Sequence, residues 1–418
     1  MIVGHVGPPT RRLGGPAGYL HQLSSAARAD AHPRHDVRFP EPFAGEAPPP
    51  RRAPPSPSLL TRLRRKLVGP KFYRPPAEQM ERAGGTVDRM LREVAEDVRA
   101  DTGLSLASAL AAADIVFTHD CFSAESALAQ RRPGQQVWMM CHGVTPMSLY
   151  LAWSWAVPEA DWRSLLELPD VRAWTDWELG VWKGVDGLVL PCPEAGESFR
   201  TIDRQFDAVL GRARYVLSGA SAPAGGDADL LAAPGGGPRN ENQRVGLYLG
   251  SPEPYRGFDA LIAGVQALPA GSNLTIAVAG PDPRKVPTHP AIRALGRVED
   301  VGALLASVDF LINVNRFSLF DLSTIEAAQA GKPLMLHAVG GNRAFERLGA
   351  GCVMLGDLQP QTIAECLTDI AAFSAATLAA LGRQSRACWE TQLTPRHMWE
   401  RHLALYDELA AHAPVPSD

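Results

Sequence analysis

Short apolar runs recur along the chain, most of them stopping at a glycine, histidine, asparagine or proline, with amphipathic stretches between. Residues 2–6 form the first run, followed by a Gly/Pro loop from Gly7 to Gly18 and a helical pattern opening at Tyr19. Residues 114–118, 137–140 and 185–191 read as buried strands, the first two ending at His119-Asp120 and Cys141-His142-Gly143. Val87, Met90, Leu91, Val94 and Val98 recur at helical spacing and predict a helix over 80–113. A short strand is expected over 214–217. The second half alternates in the same way, with strands over 245–249, 274–279, 310–314 and 334–336 and helices over 257–268, 301–306 and 322–330. Trp399, Leu403, Tyr406 and Leu409 mark one face of a final helix over 394–411. Such alternation predicts α/β units with parallel sheets covered on both faces. Ligands of such sheets bind beyond the carboxyl ends of the strands.

Length divides this pattern in two. At about 150 residues per domain, 418 residues imply two or three domains. We expect a first domain over 1–217, a second over 218–395, and a closing helix, 396–418, that packs back on the first. Residues 222–243 are rich in Gly, Ala and Pro and read as a linker. The 41 basic and 45 acidic side chains leave a net charge of −4, which disfavours a nucleic-acid partner. No apolar run reaches the ~20 residues of a membrane span. Six cysteines, at 121, 141, 192, 352, 366 and 388, include no Cys-x-x-Cys pair and read as reduced thiols of a cytoplasmic protein.

Proline changes the picture locally. Residues 47–77 hold nine of the 36 prolines, eight Arg or Lys and no acidic residue. With Leu59, Leu60, Leu63 and Leu67 they offer either a peripheral contact at the inner face of an anionic membrane or a solvated insertion.

Candidate chemistry gathers at the strand ends of the second half. Gly250 to Asp259 runs from a strand into a helix, where free N–H groups and the Arg256 fork suit a phosphate. After the 310–314 strand comes a polar turn and a helix carrying Glu326. Glu326 completes a capping box with Ser323, or its two oxygens accept adjacent ribose hydroxyls. Gly340-Gly341 permits close approach of a ligand. The tryptophans over 153–182 either stack on a sugar acceptor or fill the core, and core is the simpler reading.

The segments Gly250…Arg256-Gly257, Gly296-Arg297-Val298, Phe320…Ile325-Glu326-Ala327…Gly331-Lys332-Pro333 and Gly340-Gly341 resemble, in order and spacing, the carboxyl-terminal domain of retaining GT-B glycosyltransferases of family 4 type. Gly14-Gly15, His119-Asp120, Cys141-His142-Gly143 and the closing Trp399…Tyr406 helix resemble the amino-terminal half and end of that family. The resemblance implies two Rossmann-like domains facing a cleft and a nucleotide-diphosphate sugar, UDP- or GDP-linked, as donor substrate, with no cofactor. Glu326 would hold the ribose and Arg256 the diphosphate. Arg297 and Val298 would meet the base. The turn Ser318, Leu319, Phe320 and Asp321 would offer N–H groups to the sugar. Gly14, Gly15 and Ser251 would border the diphosphate, and His142 would sit beside the sugar and leaving group.

Two departures stand out. Ser318 occupies the place of the family's first Glu, and Ser251 that of a common Arg, while Arg316 offers a charge near the turn. The expectation is metal-independent, retaining transfer to a small-molecule, natural-product or saccharide acceptor. The alternatives are a non-catalytic nucleotide-sugar-binding protein of GT-B fold and a sugar-nucleotide epimerase. A dinucleotide dehydrogenase is disfavoured, because the first loop lacks the required glycine spacing.

Overall fold

The computed structural model describes residues 1–7, 15–30, 35–40, 77–221 and 243–411, without side-chain placement over 99–105. Gly14, nearly all of the basic 47–77 segment and nearly all of the 222–243 linker lie outside the described residues. The chain divides into two compact units. The first takes residues 1–190, 198–216 and the chain from Arg401 onward; the second takes 191–197 and 217–400.

The first unit is built on six parallel strands: β1 (Ile2–Val6), β2 (Asp36–Arg38), β3 (Ile115–Thr118), β4 (Gln136–Met140), β5 (Gly187–Leu190) and β6 (Arg214–Tyr215), in the order β2-β1-β3-β4-β5-β6. Helix α1 (Gly15–Ala29) starts before the tyrosine at which the sequence pattern opens, because glycine and proline can occupy its unsatisfied first turn. Helix α2 (Ala77–Ala112) buries Val87 and Leu91. Helix α3 (Cys121–Gln130) starts at the Asp120 N-cap, whose carboxylate accepts from the Ser123 amide at 2.7 Å. Helix α4 (Pro169–Gly184) begins on a proline, whose missing N–H costs nothing at that position. Trp182 and Trp153 are core residues. Trp174 and Trp177 are half-buried, packed edge to face, with their indole N–H groups bound to Asp88 and Glu125.

The second unit repeats the plan with β7 (Arg244–Leu249), β8 (Leu274–Ala279), β9 (Ile292–Gly296), β10 (Phe310–Asn313), β11 (Leu334–His337) and β12 (Cys352–Leu355). All pairs are parallel and the order is β12-β11-β10-β7-β8-β9. The strand order therefore reverses between β7 and β10, as in a Rossmann sheet. Among the described residues seven α-helices accompany it: α5 (Phe258–Gln266), α6 (Val301–Ala306), α7 (Leu322–Gln329), α8 (Gly341–Arg347), α9 (Pro360–Ala372), α10 (Ala375–Cys388) and α11 (Pro395–Ala411), of which α11 runs on into the first unit from Arg401.

Leu261, Val265, Ile276, Val278, Phe310, Ile312, Ile363 and Leu367 form its core. Gly264 lets α5 meet α9, since a Cβ there would lie 2.4 Å from the Ile363 side chain. Residues 191–197 belong to this unit through two ion pairs, Glu194 with Arg347 and Glu197 with Arg343, both at 2.6 Å. All six cysteines are free thiols. Among the described residues, no single helix is long and apolar enough to cross a membrane.

Candidate functional site

In the second unit the chemistry gathers at the switch point between β7 and β10. Tyr248 and Leu249 from β7, Arg256 from the following loop, Asn313 and Asn315 from the end of β10, and Ser323 from α7 line one small cleft. The loop after β7 reaches α5 through a short 3₁₀ turn, Pro254–Arg256, closed by Gly257 at φ +67°. No side chain fits at Gly257, because a Cβ would lie 2.0 Å from the Val314 carbonyl oxygen. This close approach holds the Arg256 loop against the end of β10.

Arg256 is half-buried. Its Nε donates to the Tyr255 hydroxyl at 3.1 Å, while the carboxylates of Glu253 and Asp321 stand 3.6 and 3.7 Å from its guanidinium. Those separations exceed a good charge-assisted bond, so among the described residues its terminal N–H groups have no hydrogen-bond acceptor. Arg316 differs. Its fork grips Asp259 at 2.7 and 2.9 Å and the Pro254 carbonyl, so its charge is spent on tying the loop to the turn. Ser251 is half-buried, and its carbonyl accepts from the Tyr248 hydroxyl at 2.6 Å.

The turn over 318–321 rests on a buried polar network. Asn313 and Asn315 both donate to Asp321 Oδ2, at 3.0 and 2.7 Å. The fully buried Ser318 hydroxyl lies within reach of Asp321 and of Asn342 Oδ1. Asn342 donates to Asn313 Oδ1 and to the His337 carbonyl. Phe320 stacks flat on Phe345, with centroids 4.3 Å apart.

Gly340 and Gly341 do give close approach, but to the chain itself. Their missing side chains leave room for the carbonyl oxygens of Ser318 and Leu319, at 2.2 and 2.0 Å from where a Cβ would stand. Among the described residues, the backbone N–H groups of Ser318, Leu319, Phe320 and Asp321 have no acceptor within the protein. The turn that carries these donors is held by the Asp321 network and by the Gly340-Gly341 backbone.

Helix α7 removes one of the two readings of Glu326, the capping box. Its N-cap is Asp321, so Ser323 lies inside the first turn and the Ser323–Glu326 capping box does not form. The Glu326 carboxylate is largely buried and, among the described residues, makes no hydrogen bond or ion pair. Burial alone pushes its pKa up from 4.5 to about 7. Arg297 is exposed and Val298 half-buried, just beyond the turn at Gly296 that ends β9.

The first unit holds a second cluster, at the switch point between β1 and β3. His5 lies on β1, His119 just after β3 and His142 just after β4. His5 Nδ1 meets His119 Nε2 at 3.0 Å, and His119 Nδ1 meets His142 Nε2 at 2.7 Å. The other side of His5 meets the Tyr406 hydroxyl at 2.7 Å. Tyr406 meets His402 Nδ1, and His402 Nε2 meets the Tyr19 hydroxyl at 2.8 Å. His142 is half-buried while the other five are buried. Desolvation lowers the pKa of all four imidazoles, to about 4 at His142 and about 3 at His402. Gly15 opens α1 with φ +74° and is exposed.

Sequence reasoning did not pick out Asn313, Asn315, Asn342, His5 or His402 as members of a site. Two asparagines at the end of an apolar strand, a third at the start of a helix after a glycine pair, and a histidine inside an apolar strand were the available signals. An Asp-x-Asp triplet, Asp227 to Asp229, lies outside the described residues. Among the described residues, no group of three or more His, Cys, Asp or Glu is arranged to hold a metal ion.

Known proteins give this geometry a context. No curated protein is similar to the chain in sequence. Among solved structures, sucrose-phosphate synthase from Thermosynechococcus elongatus is similar over 99% of this chain and 100% of its own, with TM-score 0.61 and 15% identity. HepE from Anabaena, in complex with UDP and glucose, matches over 98% of this chain and 100% of its own, with TM-score 0.58 and 12% identity. WaaG, a glycosyltransferase involved in lipopolysaccharide biosynthesis, matches over 97% and 99%, with TM-score 0.56 and 15% identity. Residues 243–372 match the model of the family described as glycosyl transferases group 1. The chain as a whole has the GT-B fold of two Rossmann-like units, and its second unit carries the group 1 glycosyl transferase pattern.

Proposed function

We propose that the protein is a retaining glycosyltransferase that takes a sugar from a nucleotide-diphosphate donor, UDP- or GDP-linked, and passes it to a small-molecule, natural-product or saccharide acceptor. The observation that carries this reading is Glu326, a half-buried carboxylate that has no partner among the described residues and lies inside the segment matched by the group 1 model. A lone buried carboxylate is costly unless something donates to it. Two adjacent ribose hydroxyls supply two such bonds.

The rest of the site suits the same ligand. Departure of a nucleoside diphosphate builds negative charge on the phosphate while the anomeric carbon becomes positive, and preorganised donors are what the leaving group needs. The spare guanidinium N–H groups of Arg256 take the diphosphate. The free amides of 318–321 take sugar hydroxyls or phosphate oxygens. Arg297 and Val298 border the base. Arg256 and the amides supply the stabilisation that a divalent cation gives elsewhere, so the reaction is metal-independent in this reading. HepE, solved with UDP and glucose, makes a UDP-sugar the first donor to try.

A second reading has one observation in its favour. Ser318, standing where the resembled family has a Glu, turns its hydroxyl inward and leaves no side chain for the sugar. A protein that binds nucleotide sugar without turning it over would tolerate that loss.

Incubation with a panel of UDP- and GDP-sugars separates the two. Slow release of nucleoside diphosphate, accelerated by an acceptor, unaffected by EDTA and retaining the anomeric configuration by NMR, supports transfer. Tight binding with no turnover of any donor favours the second reading. No binding of any nucleotide sugar overturns both.

A further inference from the structure

Asp321 stands at the N-cap of α7 and its side chain does not cap the helix. An aspartate there ordinarily accepts from an amide of the first helical turn. Here neither carboxylate oxygen does so, and the Thr324 and Ile325 amides bind the Asp321 backbone carbonyl instead, at 3.1 and 3.2 Å. The carboxylate is committed elsewhere. Its Oδ2 takes the side-chain amide protons of Asn313 and Asn315 at 3.0 and 2.7 Å. Chemistry fixes the sense of the first bond: Asn313 Oδ1 accepts from the Asn315 backbone N–H at 3.2 Å, which leaves its NH2 group to donate. Oδ2 is therefore well supplied with donors. Oδ1 makes no hydrogen bond among the described residues, and its charged neighbour is the Arg256 guanidinium at 3.7 Å.

The turn is otherwise short of acceptors. The amides of 318–321 and the Arg256 fork are all donors. The Ser318 hydroxyl is turned to Asn342 Oδ1 and Asp321 Oδ2, at 2.9 and 3.2 Å, while Leu319 and Phe320 carry no polar side-chain atom. A sugar hydroxyl that accepts from an amide still has a proton of its own, and that proton needs an acceptor once water is displaced. Asp321 Oδ1 is the side-chain oxygen of this turn left open to it among the described residues. The same carboxylate is a liability to a diphosphate. With Glu253 at 3.6 Å it flanks the guanidinium that would hold the phosphate oxygens. A nucleotide without a sugar meets that negative charge and gains no bond in return.

We propose that Asp321 is a specificity-determining residue: its Oδ1 accepts one hydroxyl proton of the donor sugar, next to the phosphate that Arg256 holds, while its charge weakens the grip on the bare nucleotide. The carboxylate thereby favours the sugar-bearing donor over the nucleoside diphosphate that transfer leaves behind. This assignment rests on the nucleotide-sugar reading of the site.

Asp321→Asn tests it, because the amide keeps an oxygen for Asn313 and Asn315 and puts an NH2 group where Oδ1 stands. Calorimetry compares UDP and GDP with UDP-glucose, UDP-galactose, UDP-N-acetylglucosamine and GDP-mannose, and the sugar nucleotide that binds the parent most tightly serves as reference. In the variant, affinity for the matching free nucleotide should rise about two- to fivefold. Preference for the sugar nucleotide over that nucleotide should fall about tenfold or more. One monodeoxy analogue of the reference sugar should bind the parent about tenfold more weakly than the full sugar, and the variant should not tell the two apart. A carboxylate that only braced the turn would cost both ligands affinity alike in the variant. That result, or an unchanged preference, overturns the inference and leaves the proposed function standing. Binding of none of these nucleotides to the parent overturns both. Asp321→Ser, equally suited to an N-cap, should shift the two affinities in the same directions and decides the matter if the asparagine variant fails to fold.

Discussion

Replacing Glu326 by glutamine separates stability from binding. The carboxyl is held at about pKa 7 by burial, against 4.5 in the open chain. At 1.36 kcal/mol per unit this is at most about 3 kcal/mol of penalty on the charged form. The native state binds the proton more tightly than the unfolded state, so the ligand-free protein loses stability as pH rises through about 4.5 to 7. Glutamine is nearly isosteric and has no charge to desolvate. The stability of Glu326→Gln relative to the parent should therefore grow by about 2–3 kcal/mol between pH 5 and pH 8, read by urea denaturation.

Binding moves the other way. A ribose that donates to the carboxylate selects the ionised form, of which about one tenth is present at pH 6. Parent affinity for UDP-glucose, whose diphosphate does not titrate in this window, should be about tenfold weaker at pH 6 than at pH 8 by calorimetry, with proton release on binding. The variant should bind weakly at both. Parallel pH-stability curves for the two proteins, or an unchanged parent affinity at pH 6 and 8, would refute the ribose assignment.

Three further outcomes follow from the same geometry. Arg256→Lys keeps the charge but loses the planar fork, so affinity for UDP should fall by about tenfold or more while affinity for uridine is unchanged, again by calorimetry. Gly257→Ala places a methyl group against the Val314 carbonyl at a positive φ and should destabilise the protein by about 2 kcal/mol or more, seen in the denaturation midpoint. Deletion of 47–77 should abolish sedimentation with anionic liposomes and leave UDP-sugar hydrolysis intact, if that basic segment is the membrane contact; persistent sedimentation would remove it from that role.

The legible parts of the fold were those with a strong period. Strand β8 and helix α6 stand where the pattern placed them, because each is a compact apolar block bounded by turn residues. The edge strands β2, β9 and β12 did not show as strands. They are short and half-buried or exposed, so Arg293 or Asp36 interrupts the apolar run that a central strand would display. Glu326 and Arg256 could be singled out because residue type and spacing carry their chemistry. Their condition among the described residues, one carboxylate without a partner and one fork with donors to spare, depends on what surrounds them. That Ser323 lies inside α7, and that Arg316 is already engaged by Asp259, are tertiary facts no local window contains.

The fit of Gly340 and Gly341 under the 318–320 turn bears on how this site can be altered. The two segments share one volume, since the carbonyls of Ser318 and Leu319 fill the space a side chain would take at the start of α8. The donor turn is thus not an interchangeable cassette. A graft of residues 316–322 from a related protein must bring residues 339–342 with it, or the turn amides will lose the alignment that packing on Gly340 and Gly341 gives them.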